Sequence, residues 1–301
     1  MPYTLKQLRY FVAAGNAESV TKASQAVDIS QPSISAAITH LEAEFGLQLF
    51  VRHHAQGLSL TPAGRRLMTA ANRLLTQSDD LYQFASDLNE GLAGTLDVGC
   101  FLTLAPIMMP GLLRDFPQRY PTAKVGCVEG HQAFLLNGLS EGRFEIALTY
   151  DLQISENVVF SPLIPLPPYV IVSPDSPLAA RPEITLRELV DQPLVLLDLP
   201  LSRDYFLSLF VSARLEPTIA FRTESFDMAR GLVANGFGYS FLNIRPANNR
   251  SLDGKTIVAL PLADAPRPLY VGIARMEGVA LSKVANAFAE HCVGAVARYL
   301  A

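Results

Sequence analysis

The sequence predicts an α/β chain with an all-α, winged-helix head: a helix-turn-helix, one long helix, then a two-lobed α/β body. Three observations predict it. Two short helical apolar patterns meet at a tight break before residue 46. Leucines recur every seven residues from Leu67 to Leu88. Beyond residue 94, short apolar strands alternate with amphipathic runs. With 301 residues, half of them hydrophobic, the chain is long enough for more than one core. No apolar run reaches the ~18 residues of a membrane span. The opening MPYTLKQLRYF lacks the apolar centre of a signal peptide, so a cytoplasmic protein without membrane contact is expected.

Residues 1–60 form the head. Leu5, Leu8, Phe11 and Val12 fall at helical spacing. A second helix starts at Ser19 and sets Val20, Ala23, Ala26 and Val27 on one face. Asp28 and Ile29 make a short turn, and Ser30 is a suitable N-cap with Pro32 in the first turn. In the next helix Ile34, Ile38, Leu41 and Phe45 make an inward stripe. That phase turns Pro32, Ala36, Thr39 and Ala43 outward, and Gly46 ends the helix. Two helices about a tight turn are a helix-turn-helix. The runs LQLFVR and LSLT, around HHAQG, read as a β wing.

Residues 61–90 form a linker helix. Thr61 caps it and Pro62 takes its first position. Leu67, Leu74, Leu81 and Leu88 keep a heptad, with Ala71, Ser78 and Ala85 interleaved as small residues. That pattern reads as a dimerising coiled coil, the alternative being one amphipathic helix on its own domain's core. Gly91 and Gly94 end the helix and make a hinge.

Residues 91–301 form the body. TLDVGC, LAPIMMPGLLRDF, AKVGCV, AFLLNGLSEG and EIALTY read as βαβαβ, a parallel sheet. SPLIPLPPYVIVSPDSP leads to a second αβ unit containing YVIVS, PLVLL and GLVANGFGYSFL. PLYVGIA returns, and SKVANAFAEHCVGAVARYL closes the chain. Lobe I takes about 91–162 and 267–301, lobe II about 163–266, with a cleft between them.

Charge and motifs narrow the function. Net charge is −4, yet residues 1–75 carry +3 and the remainder −7, a basic head on an acidic body that suits a modular nucleic-acid binder. Cys100, Cys127 and Cys292 are widely spaced and read as buried thiols. The five histidines accompany no nucleophile motif, and no GxSxG, HExxH, P-loop or GxGxxG occurs. His53 and His54 sit in a loop with no Cys, Asp or Glu nearby, so no metal, cofactor or catalysis is expected. The alternative function is a solute-binding protein with an unrelated N-terminal helical domain.

In this order the chain resembles a LysR-type transcriptional regulator over nearly its whole length. The resemblance rests on SVTKASQAVDISQPSISAAITHLEAEFGLQLFVR and on LTPAG at residues 60–64. It is looser at Gly99, Pro110, Phe116, Tyr120-Pro121 and GFGYS. It implies a winged helix, a dimerising linker and an effector domain like periplasmic binding proteins. It implies as partners a double-stranded DNA operator, a small-molecule effector, RNA polymerase and further copies, as homodimer or homotetramer. The chain departs from the family at Ala36, where Arg is common, at Thr39, at Ala23-Ser24 and at Phe241-Leu242-Asn243.

The DNA-reading set is Thr21, Ser30, Gln31, Pro32, Ser33, Ser35, Ala36, Thr39, Arg52 and His53. Gln31 suits the adenine edge, and Pro32 and Ala36 suit thymine methyls. The hydroxyls suit phosphates or base edges, and Arg52 with His53 would neutralise backbone charge at the wing. Ser35 as a plain surface serine and Arg52 in a salt bridge within the wing are the other readings. An A/T-leaning operator follows. The effector set lies at strand ends: Phe101, Leu102 and Thr103; Glu129 and His131; Thr149 and Tyr150; Leu197, Asp198, Ser202 and Arg203; Ser225 and Phe226. Thr103, Ser202 and Ser225 would hold a carboxylate with helix N–H groups, Arg203 would add charge, and Phe101, Tyr150 and Phe226 would wall an apolar body. Ordinary packing or capping is the alternative for each. A small organic acid is the ligand expected.

Overall fold

The computed structural model describes residues 3–53, 57–90 and 92–300. The head comprises α1 (Leu5–Ala17), α2 (Val20–Ala26) and α3 (Gln31–Phe45), then the wing strands β1 (Phe50–His53) and β2 (Gly57–Leu60). A capping box starts α1: the Gln7 amide donates to Thr4 Oγ1 at 3.2 Å, and the Thr4 amide to Gln7 Oε1 at 2.8 Å. Leu8, Phe11, Ala23, Ile34, Ile38 and Leu41 are buried, with Phe11 edge-on to Phe50 at 5.5 Å. Ala37 joins this core, whereas Leu5 and Ala26 are exposed and Phe45 is half-buried. The wing starts at Phe50, not Leu47, because the Glu42 carboxylate takes the amides of Leu49 (2.8 Å) and Phe50 (3.2 Å) before pairing begins.

Helix α4 (Pro62–Glu90) starts where expected, its Gly64 amide donating to Thr61 Oγ1 at 2.9 Å. Gly64 is required there, since a Cβ would lie 2.1 Å from the Leu49 carbonyl oxygen. The heptad is only partly free. Met68, Ala71 and Leu75 are buried against the head, with Leu67 half-buried beside them. Ala71 is therefore not a spacer between two helices; its methyl is used inside its own domain. Leu74 and Leu81 are 36% and 69% exposed. The Leu88 and Ala85 side chains, like Gly91, lie outside the described residues.

The body begins with β3 (Gly94–Phe101), α5 (Ala105–Arg119), β4 (Ala123–Gly130), α6 (Gln132–Ser140) and β5 (Ile146–Tyr150). It continues through β6 (Val158–Leu166), β7 (Tyr169–Val172), α7 (Leu186–Leu189), β8 (Pro193–Leu197), α8 (Ser202–Ser212), β9 (Thr218–Thr223) and α9 (Phe226–Ala234). It ends with β10 (Ser240–Leu242), β11 (Val258–Pro261), β12 (Leu269–Met276) and α10 (Lys283–Leu300). Lobe I is a sheet ordered β4-β3-β5-β12-β6. Its βαβαβ strands are parallel as expected, and the sheet as a whole is mixed. β3, β4 and β5 are parallel, but β12 enters from lobe II without a crossover helix and runs antiparallel to β5 and β6. β6 pairs with β12 as far as Leu166 opposite Leu269, so the chain leaves lobe I at Pro167-Pro168, later than 162. Lobe II joins the antiparallel set β10-β7-β11 to the parallel pair β8-β9 through a bridge from Leu194 to Tyr239. One apolar core runs from lobe I (Val98, Leu148, Phe288) into lobe II (Leu197, Leu199, Leu242), so the lobes are packed together.

Candidate DNA-reading face and interlobe cavity

The outward face of α3 follows from the inward one. Burying Ile34, Ile38 and Leu41 leaves Gln31, Pro32, Ser33, Ala36 and Thr39 exposed and Ser35 half-buried. Ser30 and Thr21 are exposed beside them, and the Thr21 hydroxyl donates to Gln31 Oε1 at 3.2 Å. Ser30 sits at the N-cap but makes no side-chain cap. Its hydroxyl pairs with that of Ser33 at 2.8 Å, while its carbonyl accepts from Ser33 at 3.0 Å. Arg52 and His53 place their backbone in β1, and their side chains lie outside the described residues. Arg65 donates to the Leu60 carbonyl at 2.9 Å, which holds a cation against the wing.

Between the lobes, Phe101, Thr103, Tyr150, Leu197, Ser202 and Phe226 come together in one wall. The wall is completed by residues absent from the expected set: Leu199, Phe206, Leu242, Asn243, Ile244 and Leu269. The cavity they enclose is only about 20 Å³, room for roughly one water. Phe101 meets Tyr150 edge-on at 5.1 Å. Burial pushes the Tyr150 phenol far above its ordinary value, against the opposing hydrogen bond to Thr103, so it stays neutral. Ser202 opens α8, is buried, and its hydroxyl finds no partner among the described residues. Leu201 before it holds φ 69° and ψ −36°, a conformation a branched side chain adopts only under constraint.

The remaining expected residues stand elsewhere. Thr149 is buried and donates to Gln132 Oε1. Glu129 is exposed, on the edge strand β4. His131 caps α6, its Nδ1 accepting from the Phe134 amide at 3.2 Å. Leu102 is half-buried, its amide on the Gly130 carbonyl at 3.0 Å. Ser225 caps α9 by accepting from Met228 at 3.2 Å. Arg203 is not a free charge for a ligand, because it and Arg222 both hold Asp198 at 3.1 Å. Burial works to raise the Asp198 carboxyl, but the two guanidinium groups outweigh it and hold it below the ordinary range. Sequence reasoning placed these residues correctly at strand ends but had no means of knowing which neighbour each would meet.

A roomier cavity, about 620 Å³, lies at the far end of lobe II between Ser173, Pro177, Pro193, Asn235 and Lys255. Among the described residues no group of three or more His, Cys, Asp or Glu is placed to hold a metal, and no helix is long and apolar enough to cross a membrane.

A helix-turn-helix head joined by a long helix to a two-lobed body with a walled cavity is the build of a transcriptional regulator with an effector-binding domain. Residues 5–65 match the bacterial regulatory helix-turn-helix protein, lysR family, and residues 89–297 match the LysR substrate binding domain. The chain belongs to the LysR family of transcriptional regulators and is a DNA-binding regulator, not an enzyme. It is 31% identical to the HTH-type transcriptional regulator CysB of Haemophilus influenzae, over 79% of this chain and 75% of that one. It is 28% identical to the uncharacterised regulator YybE of Bacillus subtilis, over 96% and 97%. The crystal structure of HinK, a LysR family transcriptional regulator from Pseudomonas aeruginosa, is 38% identical with a TM-score of 0.65, covering 97% of this chain and 98% of that one.

Proposed function

We propose that this regulator is controlled by a small organic anion taken up between the lobes, in the wall built from Phe101, Thr103, Tyr150, Ser202 and Phe226. The observation that carries this is the Ser202 hydroxyl. It is buried at the first turn of α8 and unpartnered among the described residues, at a helix start that no side chain caps. An unmet buried hydroxyl costs roughly 1–3 kcal/mol, and a carboxylate would satisfy it together with the positive end of the helix. The aromatic wall suits an apolar body. Since the cavity holds about 20 Å³, the ligand enters by parting the lobes and shifts the population toward an open arrangement. Operator binding proceeds as a homodimer or homotetramer through the free part of α4, where Leu74 and Leu81 are exposed. Work inside the cell, contact with RNA polymerase and a changed operator bend on ligand binding complete the proposal.

The test is a gel shift of the full chain on its own upstream intergenic DNA, with titrations of acetate, pyruvate and benzoate against their neutral amides. Binding of amides but of no carboxylate would reject the anion reading. A charge at Leu81 (Leu81→Asp) lowers both dimer mass in sedimentation and DNA affinity; an intact dimer would remove α4 as the interface.

A further inference from the structure

Helix α6 connects the cavity wall to the linker helix through two pinned ends. At its first residue, Gln132 is fully buried, and its Nε2 donates to the carbonyls of Tyr150 and Leu152, each at 2.9 Å. Its Oε1 accepts the Thr149 hydroxyl. One side-chain amide thus fixes the end of β5, where Tyr150 enters the cavity wall. At the other end, the Glu141 carbonyl accepts from Asn72 Nδ2 of α4 at 2.9 Å. Gly142 takes the left-handed φ of +66° that suits glycine, and a Cβ there would press on the Asn72 Cβ at 3.3 Å. The amides of Gly142 (to Leu139, 3.1 Å) and Arg143 (to Gly138, 2.8 Å) close the helix rigidly. Asn72 lies between Ala71 and Leu75, which seal the head core.

We infer that Gln132 and Asn72 are positioning residues and α6 the strut between them, carrying a displacement of Tyr150 to the linker helix and so to the DNA-reading head. A buried amide cannot release its carbonyl acceptors without leaving them unmet, so movement of β5 carries Gln132 with it. Nine helical residues, about 13.5 Å long, then move as one body. The inference rests on the proposed location of the effector.

Amide hydrogen exchange of the ligand-free full chain tests it by reciprocity. Asn72→Ala and the isosteric Asn72→Asp, which lacks the donor, should both speed exchange at residues 149–152 as well as at 139–143. The change should be roughly twofold or more, the low end of measured couplings. Gln132→Ala should speed exchange at residues 68–76 of α4. The Asn72 variants touch no core position and carry the test if Gln132→Ala fails to fold. A change confined to residues 139–143 and α4 in both Asn72 variants, with β5 unmoved, overturns the inference; a merely structural contact gives that result. Because no ligand is present, absence of carboxylate binding would reject the proposed effector and leave this coupling standing.

Discussion

The DNA-reading face and the interlobe cavity are built in opposite ways. The candidate face comes mainly from one helix, with Thr21 of α2 beside it, and its residues are free to read DNA because they are not core residues. Its side chains are mostly small and exposed, and some are bonded to near neighbours, as Thr21 is to Gln31 and Ser30 to Ser33. The cavity comes from segments more than a hundred residues apart, and its wall is itself part of the core shared by the lobes. A substitution on the face should therefore change binding without changing stability. A substitution in the cavity should change both, unless it removes an atom that the fold does not use.

The largest effect separates the face from what supports it. Phe11 is fully buried under α3, and Phe11→Ala should destabilise the head by about 3–5 kcal/mol. Calorimetry should show a head transition lost or lowered while the body transition stays. One joint shift of both would mean that head and body unfold as a unit and that the contrast between them is false.

Next comes the face itself. Gln31→Ala removes a candidate base contact and should weaken operator binding by roughly 1–3 kcal/mol, with the melting temperature unchanged because the side chain is exposed. Unaltered affinity would demote Gln31 to the partner of Thr21. Selection from random DNA gives the companion result: half-sites rich in guanine opposite Ala36 would contradict direct contact with thymine methyls.

The smaller third effect tests the exception within the cavity. Ser202→Ala deletes a hydroxyl that the folded chain leaves unmet, so stability should hold or rise by up to about 1 kcal/mol, while carboxylate affinity falls. A clear loss of stability would mean the hydroxyl has a partner, such as an ordered water, and would weaken the anion reading.

The same contrast explains what the sequence made legible. The α3 stripe, the α4 start at Thr61-Pro62 and the βαβαβ of lobe I depend on spacing within a segment, and spacing is visible in a sequence. Ala71 was misplaced because the heptad shows that a face is apolar without showing what covers it, and here the head covers it first. The direction of β12 is not legible, because it looks like any apolar strand and its direction is set by where lobe II ends. At the cavity, the strand ends bring Phe101, Thr103, Tyr150, Leu197, Ser202 and Phe226 into one wall. Spacing could not show that the Arg203 guanidinium is engaged by Asp198, five residues earlier, or that the Thr149 hydroxyl is taken by Gln132. Gln132 itself carried no motif. A buried glutamine opening a helix reads as polar surface until the carbonyls of β5 are placed beside it.

The smallest effect puts near and distant contributions on one carboxylate. Asp115 in α5 has its pKa lowered to about 2, first by the hydrogen bond from its neighbour Arg114 (2.8 Å) and then by the Tyr299 hydroxyl from the closing helix (2.5 Å). A carboxylate held below its ordinary pKa contributes stability above that ordinary value and loses it as pH falls toward about 2. The α5–α10 contact should therefore loosen only in that acid window, and modestly, because Arg114 is 71% exposed and screened by solvent. Carboxyl NMR titration separates the causes. Arg114→Ala should raise the Asp115 midpoint more than Tyr299→Phe, and both should move it toward the ordinary carboxylate range. If Tyr299→Phe gave the larger rise, the partner 184 residues away would outweigh the adjacent one. Even this most local-looking pair would then belong with the cavity, as a feature that only the assembled fold creates.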